Sequence, residues 1–189
     1  VRSGIGKIIL VDYDTIDLTN LNRQIITNQN NIGKYKTDEM ADRIKSICPN
    51  CQVIKFTKRL ELNNIDELFL YSFDYLIDAC DTVIIKQELI RKCLEKSIKF
   101  ISSMGTGNKL EPSLLEVTDI RNTSYDPIAK RIRKYLKENH IYGKVFVVYS
   151  KEKRDKFEGS IPSMMFVPAT SGLLCANFVI KDIISTCKK

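Results

Sequence analysis

The chain has 189 residues, enough for one domain with a real core and too few for two ordinary ones. Hydrophobic residues are 43% and charged residues 28%, which excludes a disordered or fibrous chain. No signal peptide is read in it, and no apolar run near 18 residues, so no membrane segment is expected; the net charge is +7.

The first residues, Val1-Arg2-Ser3-Gly4-Ile5-Gly6-Lys7, read as a helix end, because Gly4 or Gly6 can supply the left-handed residue that stops a helix. The sequence is therefore expected to start partway into a domain. A strand over 7–11 runs into Asp12 and Asp14. A polar loop follows, with Asn20, Asn22, Arg23 and Gln24 close together. A helix is predicted from about 34 to 47, where Met40, Ile44 and Ile47 share a face. Next come a strand over 52–56 and a short helix over 61–71, capped by Asn63 or Asn64. Strand 74–78 ends in acid, helix 84–96 places Ile85 with Leu89 and Cys93, and strand 98–102 follows. Strand and helix in alternation predict a parallel sheet with flanking helices.

After Gly105 the pattern changes. Strands are predicted over 114–120 and 144–149. Between them Asp126 caps a helix that has Pro127 at its first position. Ile128, Ile132, Tyr135 and Leu136 form its apolar stripe, and Lys130, Arg131, Arg133, Lys134 and Lys137 fill the other faces. Residues 151–164 read as a mobile loop. The stretch 169–184 reads as a helix apolar almost all round, buried or set in a subunit interface.

Residues 109–156 hold 12 Lys/Arg against 7 Asp/Glu, so +5 of the +7 lies there. A basic patch is the usual footprint of a polyanion, and the plain alternative is a solvated surface. Cys48-Pro49-Asn50-Cys51 has C-x-x-C spacing, but a zinc ribbon needs a second pair or histidines. His140 is the only histidine, and Pro49-Asn50 reads as turn chemistry. Six cysteines without a secretory signal fit reduced thiols and a cytoplasmic protein.

In open parallel sheets, ligands bind beyond the carboxyl ends of the strands. Three strand ends carry polar clusters: Asp12 to Arg23, Asp78-Ala79-Cys80-Asp81, and Ser102-Ser103-Met104-Gly105-Thr106-Gly107. They are expected along one edge of the sheet. Asp12 is placed to accept bonds from ribose hydroxyls; the alternative is a turn acid. Arg23 offers a planar fork to phosphate oxygens. Lys36, after Gly33, adds a mobile cation at a helix start, which itself favours anions. Asp81 is a candidate for Mg²⁺ on a triphosphate, or else it or Thr82 caps the next helix. Asp14 reads as turn chemistry.

Asp12-Tyr13-Asp14, then Thr19-Asn20-Leu21-Asn22-Arg23-Gln24, then Gly33-Lys34-Tyr35-Lys36, then Asp78-Ala79-Cys80-Asp81 resemble the ThiF/MoeB/HesA family of ubiquitin-activating-like adenylating enzymes. The resemblance covers essentially the whole chain, 1–189, as one adenylation domain. It implies a Rossmann-like, mostly parallel sheet that binds ATP and Mg²⁺ and adenylates a carboxylate. It implies Asp12 as ribose ligand, Asn20, Arg23 and Lys36 on the phosphate side, and Asp81 as the Mg²⁺-associated acid. Asp81, Arg23 and Lys36 would serve catalysis. The family's first strand and Gly-rich loop are expected upstream of residue 1, so the chain as given is expected to bind ATP weakly or not at all.

Ser103 to Pro112, Asp119 to Thr123 and Asp126 to Ala129 resemble the branch that dehydrates threonylcarbamoyladenosine in tRNA to its cyclic form. That resemblance implies tRNA as substrate and partner, held by the basic 109–156 subregion, and a homodimer. Cys80 need not react in such a scheme. Three other readings stay open: adenylation of a ubiquitin-like or sulfur-carrier protein, with that protein as partner; a nucleotide-binding module without catalysis; and an inactive fragment.

Overall fold

The computed structural model describes residues 1–153, 159 and 161–187. The loop expected over 151–164 therefore lies partly outside the described residues, at 154–158 and 160. Packing divides the chain into two compact units, Val1–Tyr71 and Ser72–Lys189.

In the first unit, β1 (Lys7–Val11) pairs in parallel with β2 (Gln52–Phe56), Ile9 opposite Ile54. Helix α1 (Lys36–Ile47) connects them and buries Ile44. It begins two residues later than the sequence suggests. The reason is that residues 33–36 are used elsewhere: Ile16 N–H donates to Lys34 O and Gly33 N–H to Ile16 O, both at 2.8 Å. Gly33 has φ +86°, a conformation glycine adopts without penalty. Helix α2 spans only Ile65–Leu68. Beyond Leu68 the bonds tighten to i→i−3, from Phe69, Leu70 and Tyr71 to Asp66, Glu67 and Leu68, which ends an α-helix. Asn64 holds the N-cap position, but its side chain serves the turn before it, accepting from Glu61 N–H and donating to Arg59 O.

The second unit contains β3 (Tyr75–Asp78), α3 (Val83–Glu95), β4 (Lys99–Ser103), β5 (Leu115–Asp119), α4 (Pro127–Glu138), β6 (Phe146–Ser150) and α5 (Phe166–Cys187). Its sheet runs β3-β4-β6-β5. The first three strands are parallel, and β5 is antiparallel to β6, Val117 opposite Val148. That reversal accounts for the broken alternation after Gly105. Ile101 and Val148 from the sheet and Cys175 and Val179 from α5 form its core cluster.

α5 buries one stripe, Val167, Ser171, Cys175 and Val179, at the i, i+4 spacing of a helix lying on a sheet. The other side is open, with Leu173 70% exposed, so of the two expectations, a buried helix or one set in a subunit interface, full burial within the chain is not observed. By length and composition alone, Phe166–Thr186 also reaches what a membrane span requires, with mean hydropathy 1.3. Pro168, Asn177, Lys181 and Asp182 interrupt the apolar run and hide this length in the sequence.

Candidate active site

The end of β1 is shaped by its acids. Asp12 N–H continues the ladder to Phe56 O, and Asp12 Oδ1 accepts from Asp14 N–H at 2.9 Å. Asp12 is half-buried. Asp14 does more than make a turn. Its Oδ2 lies 2.7 Å from Lys36 Nζ, and Asp12 Oδ2 lies 3.9 Å from the same ammonium. The pairing of residues 14–16 with 33–36 brings these groups together.

The polar loop is folded by two successive capping boxes. Asp17 accepts from Thr19 N–H, and Asn20 Oδ1 accepts from Asp17 N–H at 3.1 Å. Asn28 and Asn31 repeat the device at the same spacing. Asn20 is thus 8% exposed with its carbonyl oxygen committed to the loop; its Nδ2 is the end left for a ligand. Asn31, 2% exposed, ties the loop to α1 through Glu39 Oε2 at 2.8 Å. That bond is the main cause that holds the Glu39 carboxyl below its usual range. The sequence reading did not single out Asn31; the repeated x-Asn spacing is the signal that could have found it. Arg23 Nη1 donates to Thr19 O and Asn22 Oδ1, and no carboxylate among the described residues pairs with it. Its full charge is therefore left for an anion. Gln24 Oε1 is buried without a partner, as is Thr37 Oγ1 in the first turn of α1.

In the second unit, the other two polar clusters sit at the ends of neighbouring strands, with Asp78 opposite Ser102. The cluster after β1 belongs to a separate two-stranded ladder, so the single shared edge expected from the sequence is observed for two clusters of the three. Thr82 occupies the N-cap of α3, yet neither its side chain nor that of Asp81 caps the helix. Asp81 is exposed, and among the described residues its carboxylate meets only Thr82 Oγ1, at 3.2 Å. Among the described residues no three metal-ligating side chains cluster. Magnesium on a triphosphate needs only one or two carboxylates, since phosphates and water supply the rest. A free, exposed Asp81 fits that requirement. Cys80 is largely withdrawn from chemistry: burial first, then the nearby Asp78 carboxylate, pushes its thiol up to about 12.

Sequence reasoning missed Lys86. It is 1% exposed, and its Nζ lies 2.8 Å from Asp78 Oδ2, 3.2 Å from Ser102 Oγ and 2.9 Å from Ser103 O. The available signal was its spacing: Lys86, Ile90 and Cys93 fall on one buried stripe of α3.

The basic subregion is thinned by internal bonds. Arg133 donates to Ile120 O at 3.2 Å and to Thr123 Oγ1, so it braces the turn before α4 rather than facing outward. Lys109 is buried on Glu152 O, Arg121 pairs with Asp119, Lys151 with Glu116 and Lys134 with Glu138. Of the five α4 cations expected to meet tRNA, Lys130, Arg131 and Lys137 are exposed with no carboxylate partner among the described residues. Asp126 caps α4 as expected, its Oδ1 accepting from Ala129 N–H at 2.8 Å.

Strand ends bearing acids, an arginine without a carboxylate partner among the described residues, and lysines on a Rossmann-like α/β fold are the residue types that a nucleotide site uses. The chain belongs to the ThiF family, which it matches over residues 1–181. It is 36% identical to the tRNA threonylcarbamoyladenosine dehydratase of Bacillus subtilis, over 97% of this chain and 79% of that one. It superposes on the Escherichia coli tRNA N6-threonylcarbamoyladenosine dehydratase, TcdA, solved in complex with AMP, with TM-score 0.89 and 30% identity, over 97% of this chain and 78% of that one. The adenylyltransferase and sulfurtransferase UBA4 of Vanderwaltozyma polyspora is 31% identical over 60% of this chain and 26% of that one.

Proposed function

We propose that the chain dehydrates threonylcarbamoyladenosine in tRNA to its cyclic form at the expense of ATP. The observation that carries this reading is the likeness, across nearly the whole chain, to enzymes named for that reaction, one of them solved with AMP and also with ATP. In this reading Asp12 accepts from the ribose hydroxyls, and Asn20 Nδ2, Arg23 and Lys36 face the phosphates. Lys130, Arg131 and Lys137 hold the tRNA backbone, and the working compartment is the cytoplasm. A homodimer would cover the open apolar side of α5 around Leu173 and Ile184.

The chemistry balances without a protein nucleophile. The threonyl carboxylate oxygen attacks the α-phosphorus of ATP, and pyrophosphate leaves. The carbamoyl nitrogen then attacks the activated carbonyl carbon, loses its proton, and AMP leaves with the carboxylate oxygen. Arg23 and Lys36 offset the charge that gathers on the phosphates. Mg²⁺, which Asp81 would hold, supplies further neutralisation of the triphosphate.

The test is AMP production by the full-length protein with modified tRNA. Asp81→Ala is expected to lower it by about 10²-fold, the typical cost of one lost electrostatic contact to a transition state. Unchanged turnover would remove Asp81 from the mechanism.

The UBA4 likeness favours a second reading, adenylation of a carrier-protein C-terminus. Pyrophosphate exchange that needs a carrier protein and ignores tRNA would decide for it. ATP binding without turnover of either substrate would decide for a non-catalytic module.

A further inference from the structure

Lys86 and Asp78 form an ion pair with both side chains 1% exposed. Stability does not explain it: desolvating two charges costs about as much as their attraction returns, and apolar replacements of similar volume are often as stable. Its bonds suggest another purpose. Asp78 Oδ2 accepts from Lys86 Nζ and, at 2.6 Å, from Ser102 Oγ. Asp78 Oδ1 reaches forward and accepts from Cys80 N–H at 3.1 Å. The third acceptor of the Lys86 ammonium is the Ser103 carbonyl, at the last residue of β4. The pair thus uses its charge on the main chain of the two loops that leave β3 and β4. The loop after β3 carries Asp81, one residue past the Cys80 amide, and that carboxylate has no helix cap to fix it. The other described bonds of the 79–81 segment stay within two residues of it, from Cys80 Sγ to Thr82 O at 3.9 Å and from Thr82 Oγ1 to Asp81 Oδ1 at 3.2 Å, so the Cys80 amide bond to Asp78 is the one that ties the segment to the strand end.

We propose that Lys86 and Asp78 are positioning residues for Asp81. Lys86 immobilises the Asp78 carboxylate, and Asp78 holds the Cys80 amide so that Asp81 is presented at a fixed place beyond the strand end. This rests on the assignment of Asp81 to the nucleotide-bound cation. Neither residue touches substrate; both act through the loop.

The test uses Asp78→Leu/Lys86→Met in the full-length protein, because an apolar pair keeps the core filled while deleting the latch. Three readouts are expected to move. The Cys80 amide exchanges hydrogen faster than in wild type. ATP affinity measured by calorimetry with Mg²⁺ falls tenfold or more, while affinity without Mg²⁺ stays within twofold. KM for MgATP rises more than kcat falls. Should the double variant not fold, Ser102→Ala, which removes one bond to Asp78 Oδ2, is expected to shift the same readouts in the same direction by severalfold. A folded variant with wild-type exchange at Cys80 and wild-type Mg²⁺-dependent affinity would overturn the proposal and leave the pair purely structural. If wild type yields no AMP with modified tRNA, the proposed function fails instead; amide exchange and Mg²⁺-dependent affinity still judge the latch.

Discussion

Lys36 and Asp14 are bound to each other at 2.7 Å, with the lysine side chain only 11% exposed and the aspartate 46%. The cation proposed for the phosphates is thus already held, by an acid that looked like turn chemistry. The two residues should act as a unit. Asp14→Ala and Lys36→Ala are each expected to raise KM for ATP. The double variant should fall short of the sum by about 0.5–3 kcal/mol, the range for residues in contact. Simple additivity in AMP production would show that Lys36 works without Asp14.

The α4 surface separates cations that face solvent from one, Arg133, that is half-buried. Neutralising Lys130, Arg131 and Lys137 together is expected to weaken tRNA binding and to reduce its log–log salt slope by roughly 2, at ~0.7 per phosphate contact. Arg133→Ala should instead act on the fold, lowering stability by about 1–3 kcal/mol as Thr123 Oγ1 loses its donor and the Ile120 carbonyl one of several. Filter binding across a salt series, beside chemical denaturation, tells the two apart; a slope untouched by the triple change would remove α4 from the interface.

Cys80 should be dispensable. With its thiol pushed up to about 12, almost none is thiolate near neutrality. Cys80→Ala is expected to retain AMP production within a few-fold. A loss of about 10³ would instead implicate a covalent intermediate.

The acid sensitivity of the first unit has a named contributor. Asn31 holds Glu39 below its ordinary 4.5. A depressed folded pKa contributes stability that is full above the unfolded value and lost as pH falls through the folded one. Thermal midpoints of wild type and Asn31→Ala should therefore differ at neutral pH and draw closer as pH falls below 4.5. A gap that stays constant through that range would assign the Asn31 effect to packing alone.

The strands were legible because their ends are written locally: 7–11 and 52–56 are found where their apolar residues place them, each bounded by polar or turn residues. The Asp126-Pro127 start of α4 is equally local. What escaped depends on distant partners. Lys86 owes its burial to Asp78, eight positions back, and Ser102, sixteen ahead. Arg133 is drawn inward by a residue ten positions earlier. A charged side chain on a helix looks solvated until its partner in the fold is known. Asp14 shows the same limit across 22 positions. The candidate site was therefore readable as a set of residue types, while its internal connections were not.

The two capping boxes between Asp17 and Asn31 bear on how a nucleotide would be received. Each closes a short 3₁₀ turn by reciprocal side-chain bonds, in a stretch with neither a long helix nor a strand. Fixing one residue's backbone costs about 1–2 kcal/mol of conformational entropy. Here much of that ordering is met during folding, by amides and acids of the loop itself. An incoming triphosphate would thus find its anion-facing groups already arranged, and most of its contact energy would be kept as affinity.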